Sequence, residues 1–173
     1  MTLSEIYQKG ADILESKRLG FMLRGVETEY VLRNNEEIFK RYRFRQRAID
    51  SIEANTATRL LNLDLQVPIV MSSITAPIPQ IQPEGLLQVA RALKETGSMM
   101  SIGTPIPTNL KQLVETGVPL MQTVKPHANR NRLMEMIAQA EAAGVTWVGI
   151  EIDAGCGTKI LDREVVPEIW TGG

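Results

Sequence analysis

The chain is poor in the residues that advertise a function. It has one cysteine, Cys156, among 173 residues. That excludes an internal disulfide and any cysteine-based structural zinc site. A single histidine, His127, leaves little room for imidazole metal clusters. No apolar run approaches the length of a membrane span, and the opening MTLSEIYQKG lacks the apolar core of a signal peptide, so a cytoplasmic protein without a membrane role is expected. Charge of one sign is missing too: the net formal charge is −1. No global field therefore favours nucleic acid or an anionic surface. What remains is 43% apolar residues, enough for one domain with a real core.

The most informative stretch is Leu65–Thr104. Val67–Met71 is a short, β-branched apolar run, which predicts a strand buried on both faces. Ser72 and Ser73 follow it, then a proline-rich loop to Pro83. From Leu86 the pattern turns helical, with Leu86, Val89, Ala90 and Leu93 opposite Gln88, Arg91 and Glu95. Gly97 suits the left-handed residue that ends a helix. Ser98–Ile102 then predicts a second buried strand, completing a βαβ unit with parallel strands.

The alternation continues. Thr108 is the expected cap of a short helix ended by Gly117, Val118–Val124 a third strand, Asn129 or Asn131 the start of a helix ended by Gly144, and Trp147–Ile152 a fourth strand. After Asp153 no helix is convincing. Upstream, residues 3–18 and 28–39 predict amphipathic helices, with Ile6, Ala11, Ile13 and Leu14, and Tyr30, Val31, Ile38 and Phe39, as core positions. Lys40–Arg47 holds five cations in eight residues. Tyr42 and Phe44 alternate with arginines, so the run predicts a strand with one buried face rather than a nucleic-acid arm. Ala54–Asp64 reads as a polar connector.

Parallel strands with helices between them belong to an open doubly wound sheet or to a TIM barrel. Ser72–Pro83 contains no glycine, so no dinucleotide fingerprint fits that turn. Polar residues gather where the four strands end: Ser72 and Ser73, Thr104, Gln122 with Lys125, and Glu151 with Asp153. Barrel enzymes keep their chemistry at that face. The expected fold is thus α/β, the N-terminal half of a TIM (β/α)8 barrel with about four βα units. Residues 1–64 form a helical lead-in with a short strand, and 65–173 an incomplete barrel domain.

In order, Phe39-x-Arg41-x-x-Phe44-Arg45-x-Arg47, the strand Val67-Pro68-Ile69, Pro83-Glu84-Gly85 with Ala90-Arg91-Ala92, and the strand ending in Gln122 resemble the FMN-dependent α-hydroxy-acid oxidase and dehydrogenase family. The resemblance runs from about Leu19 to Asp153. It implies a flavin barrel that oxidises a small 2-hydroxy acid, lactate-like or glycolate-like, to the 2-oxo acid, with FMN across the mouth. Carried over, the flavin-binding positions are Ser72, Ser73, Ile74, Thr104, Gln122 and Glu151. Asp153 would orient a catalytic histidine that this chain does not contain. Two family tyrosines on the substrate side fall at Phe21, which has no hydroxyl to donate, and at Val124. Glu151 stands where the family has a threonine, and the arginine-bearing loop offers Lys159 or Arg163. The remaining catalytic and phosphate-binding parts would lie in a C-terminal half or come through a homo-oligomer. Two alternatives stay open: a non-catalytic half-barrel that pairs with itself or another chain, and a related FMN barrel such as type-2 isopentenyl-diphosphate isomerase.

The remaining chemistry-bearing residues read as ordinary ones. His127 is expected to be a surface loop histidine rather than a general base, and Cys156 a plain free thiol. Gly155–Lys159 lacks the Gly-Lys-Ser/Thr order of a phosphate loop.

Overall fold

Hydrophobic periodicity sets the elements, and glycines end the helices. The computed structural model describes residues 1–25, 28–46, 49 and 52–152. They fall into two compact units, one within Met1–Glu53 and one within Ala54–Asp153, each taken by itself.

In the first unit, α1 (Leu3–Ser16) starts from a capping box: Thr2 Oγ1 accepts from Glu5 N–H at 3.2 Å, and Glu5 Oε2 accepts from Thr2 N–H at 2.7 Å. A single 3-10 turn follows at Gly20–Leu23, then α2 (Tyr30–Glu37) and another 3-10 turn at Ile38–Arg41. The expected core positions here are not buried. α1 and α2 bury no residue, and Tyr30, Val31, Ile38 and Phe39 are all exposed. Two short helices enclose too little apolar area to make a core of their own. The strand expected over Lys40–Arg47 is also corrected. Its first residues finish a 3-10 turn, residues 42–46 pair with no strand among the described residues, and Phe44 is fully exposed. Period-two alternation supplies no ladder partner by itself. Arg47 lies outside the described residues.

The second unit opens with a hairpin where a connector was expected. β1 (Thr58–Leu60) pairs antiparallel with β2 (Leu63–Leu65) through the two-residue turn Leu61–Asn62, with φ of 49° and 64°. Positive φ at both positions is the primed turn that matches strand twist. Val67–Met71 then passes beside the entry to the next strand, with Met71 N–H donating to Met99 O at 3.3 Å and Ser98 Oγ to Ile69 O. It does not form a regular strand, and it is not buried on both faces: Ile69 is 71% exposed. Met71 packs against the core, while Ile69 and Val70 are exposed.

A short helix, α3 (Ile78–Ile81), interrupts the proline-rich loop before α4 (Gly85–Glu95). β3 (Met100–Ile102), α5 (Leu110–Glu115), β4 (Leu120–Val124), α6 (Arg130–Ala143) and β5 (Trp147–Ile150) follow in alternation. The three strands form one parallel sheet in the order β3–β4–β5. The core lies between this sheet and its helices: Leu86 and Ala90 of α4, Met100 and Ile102 of β3, Leu110 and Leu113 of α5, and Val118 with Leu120.

Gly97, Gly117 and Gly144, each expected to end a helix, all have positive φ. Gly97 is required twice over. Its φ is +69°, and a Cβ there would lie 2.4 Å from Gln66 Cγ. Asn129 caps α6 by accepting from Asn131 and Arg132 N–H. The cap position of α5 is Asn109 rather than Thr108, and no side chain bonds there. Among the described residues no helix is long and apolar enough to cross a membrane.

Candidate functional site at the strand ends

Parallel pairing brings the C-terminal ends of β3, β4 and β5 together. Ile102 stands beside Gln122, and Gln122 beside Val148. Just past Ile102, the peptide joining Gly103 to Thr104 is held at both ends. Its carbonyl oxygen accepts from Thr75 Oγ1 at 2.7 Å and from Gln122 Nε2 at 2.9 Å. Its N–H donates to Glu151 Oε1 at 3.3 Å. The same Oε1 accepts from Thr123 Oγ1 at 2.7 Å, and Lys125 Nζ lies 3.6 Å from Oε2.

Two polar atoms in this cluster are buried without a partner, Thr104 Oγ1 and Gln122 Oε1. Leaving such an atom unpaired costs about 1–3 kcal/mol. A hydroxyl and an amide oxygen left unpaired at one sheet end therefore favour a ligand offering both a donor and an acceptor.

The other expected positions divide. Ser73 Oγ hydrogen-bonds Ser101 Oγ, while Ser72 is exposed and Ile74 half-buried. Val124 is fully buried, and its carbonyl accepts from Glu151 N–H at 2.9 Å. Phe21 belongs to the Met1–Glu53 unit, in the Gly20–Leu23 turn. Asp153, Cys156, Lys159 and Arg163 lie outside the described residues. His127 Nδ1 accepts from Asn129 N–H at 2.9 Å within its own loop, as expected of a loop histidine. Sequence reasoning missed Thr75 and Thr123. The signal for Thr123 was its place next to Gln122 in a strand of otherwise apolar residues, but a strand pattern does not say which neighbour the hydroxyl meets. A surface groove lined by Arg91, Lys94, Glu95 and Glu115 of α4 and α5 shares no residue with this cluster. Among the described residues no group of histidine, cysteine or carboxylates is placed to hold a metal ion.

Comparison with known proteins gives this arrangement a family. The model of the FMN-dependent dehydrogenases matches residues 11–163. The chain belongs to the FMN-dependent dehydrogenase family. Glycolate oxidase 3 of Oryza sativa subsp. indica is 27% identical over 154 residues, covering 87% of this chain and 41% of that protein. The glycolate oxidase of Spinacia oleracea is 26% identical over 131 residues, 75% of this chain and 35% of that protein. The chain thus spans about two-fifths of the length of these relatives. In fold it is similar to a mandelate oxidase, with TM-score 0.76 over 94% of this chain and 49% of that one at 21% identity. A Pediococcus acidilactici lactate oxidase is similar with TM-score 0.73, over 88% of this chain and 43% of that one. FMN is the group that the family implies for this strand-end cluster. The two unpaired buried atoms suit a flavin ring edge, which carries both N–H and C=O groups, so the residues present fit the group.

Proposed function

We propose that this chain is the N-terminal part of an FMN-dependent enzyme that oxidises a small 2-hydroxy acid, and that its β3–β4–β5 sheet is one wall of a (β/α)8 barrel. The observation that carries the reading is the pair of buried, unpartnered atoms, Thr104 Oγ1 and Gln122 Oε1, at the end of a parallel sheet. These two would hold the ring edge, with the Ser72–Ile74 backbone beside them. FMN, when bound, accepts the two electrons removed from the substrate. This chain's part is to place and desolvate that ring. Asp153 is assigned the orientation of a histidine supplied from beyond this chain. Phe21 and Val124, at positions where the resembled family has tyrosine, cannot hydrogen-bond a substrate through a ring hydroxyl. The substrate is therefore expected to be held by other groups than in glycolate oxidase.

A second reading is a half-barrel that serves by pairing. The exposed Ile69 and Val70 on one flank of the unit, and Ile150 and Ile152 on the other, favour it. Titrating the purified chain with FMN and following the quenching of flavin fluorescence separates the two. Saturable quenching supports the flavin reading. No saturation up to about 1 mM, an affinity worth only about 4 kcal/mol, in a chain that sedimentation shows to have paired with itself overturns it and favours the pairing reading.

A further inference from the structure

Oxygen Oε1 of the Glu151 carboxylate is already engaged within the cluster. The Glu151 side chain is only 14% exposed. An ionised carboxylate accepts hydrogen bonds and donates none. Two donors reach its Oε1: Thr123 Oγ1 at 2.7 Å, nearer than that hydroxyl's other acceptor, Ile102 O at 3.1 Å, and Thr104 N–H at 3.3 Å. Its Oε2 faces Lys125 Nζ, 3.6 Å away, so the charge is compensated within the site. Oε1 also stands 2.9 Å from where a Cβ on Gly103 would sit. The carboxylate thus occupies the space that a side chain at residue 103 would need.

The bond to Thr104 N–H closes a three-point grip on one peptide. Thr75 Oγ1 and Gln122 Nε2 hold its carbonyl end, and Glu151 holds its amide end. A peptide unit is planar, so fixing both ends fixes its rotation. The unpaired Thr104 hydroxyl is carried on the Cβ of the residue whose N–H is gripped, and the unpaired Gln122 oxygen belongs to the amide whose nitrogen makes the grip.

We propose that Glu151 is a positioning residue: by clamping the Gly103–Thr104 peptide against Thr123 and Lys125, it aims the Thr104 hydroxyl at the ligand and touches no ligand itself. The inference rests on the flavin reading and replaces a direct contact from Glu151 with an indirect one.

Two measurements test it on the full chain. The first needs no ligand: hydrogen exchange of the Thr104 amide. Protection is expected in the wild type and in Glu151→Gln, whose amide oxygen still accepts both bonds, and is expected to be lost in Glu151→Ala. Equal protection in all three overturns the inference, as does an unprotected wild-type amide. The second is an FMN titration of Glu151→Ala, Glu151→Gln, Thr104→Val and the Glu151→Ala/Thr104→Val pair. Expected losses of affinity are about tenfold for Glu151→Ala and for Thr104→Val, and no more than about threefold for Glu151→Gln. The double variant should match Thr104→Val within about twofold, because the clamp has nothing left to aim. Additive losses in the double variant, or a Glu151→Gln loss as large as that of Glu151→Ala, overturn the inference. A wild-type chain that takes up no FMN bears on the functional reading instead, and the amide measurement alone then decides the role of Glu151.

Discussion

Gly103 and its neighbours show how single residues set the site against stability. A methyl group at Gly103 would lie 2.9 Å from Glu151 Oε1 and 3.3 Å from Ser73 O. The backbone oxygen cannot step aside cheaply, so Gly103→Ala is expected to cost about 1–3 kcal/mol, read as a lower urea midpoint at unchanged slope. Thr104→Val should act with opposite signs on two observables. It removes a buried hydroxyl that has no partner, so stability should hold or rise by up to about 1 kcal/mol while FMN affinity falls. A stability loss above about 1 kcal/mol would show that the hydroxyl is paired after all. Thr104 and Gln122 were legible in the sequence as polar residues at strand ends. Glu151 was legible as a residue of the site, but not as a clamp. The reason is that its partners, Thr123 and Thr104, come from two other strand ends, and strand register alone brings them together.

At the scale of elements, local chemistry decided most boundaries. Asn129 accepts from two N–H groups of α6, and Asn129→Ala is expected to cost about 1 kcal/mol. Asn109 occupies the same position on α5 without a side-chain bond, so Asn109→Ala should stay within about 0.5 kcal/mol of neutral. Thermal unfolding of the two variants side by side checks the contrast. The three helix-ending glycines were readable because a left-handed terminus excludes most other residues. The hairpin was not, because Leu61–Asn62 lacks the Asn-Gly signature and the flanking strands are three residues each. The basic Lys40–Arg47 run misled for the converse reason: it has the alternation of a strand without a partner to complete one.

For the molecule as a whole, the contrast lies between a well-filled core and bare flanks. Leu113 is fully buried between α5 and the sheet, and Leu113→Ala is expected to cost about 2–5 kcal/mol in a denaturant titration. Ile69 is 71% exposed, so Ile69→Lys should leave stability within about 0.5 kcal/mol. The same substitution is expected to shift sedimentation towards the monomer if the flank self-associates, since a charged edge resists strand pairing.

By itself the sequence determined the βα alternation, the ends of the helices, the apolar faces that bury against the sheet and the polar residues at the strand ends. These depend on interactions within a few residues, or on a periodicity that one strand or helix imposes alone. Only the tertiary structure decided that Ile69 and Val70 stay exposed, that no residue of the amphipathic helices α1 and α2 is buried, and that Glu151 grips the Gly103–Thr104 peptide. Burial and pairing belong to whatever stands across the gap, and no stretch of chain encodes its neighbour's position.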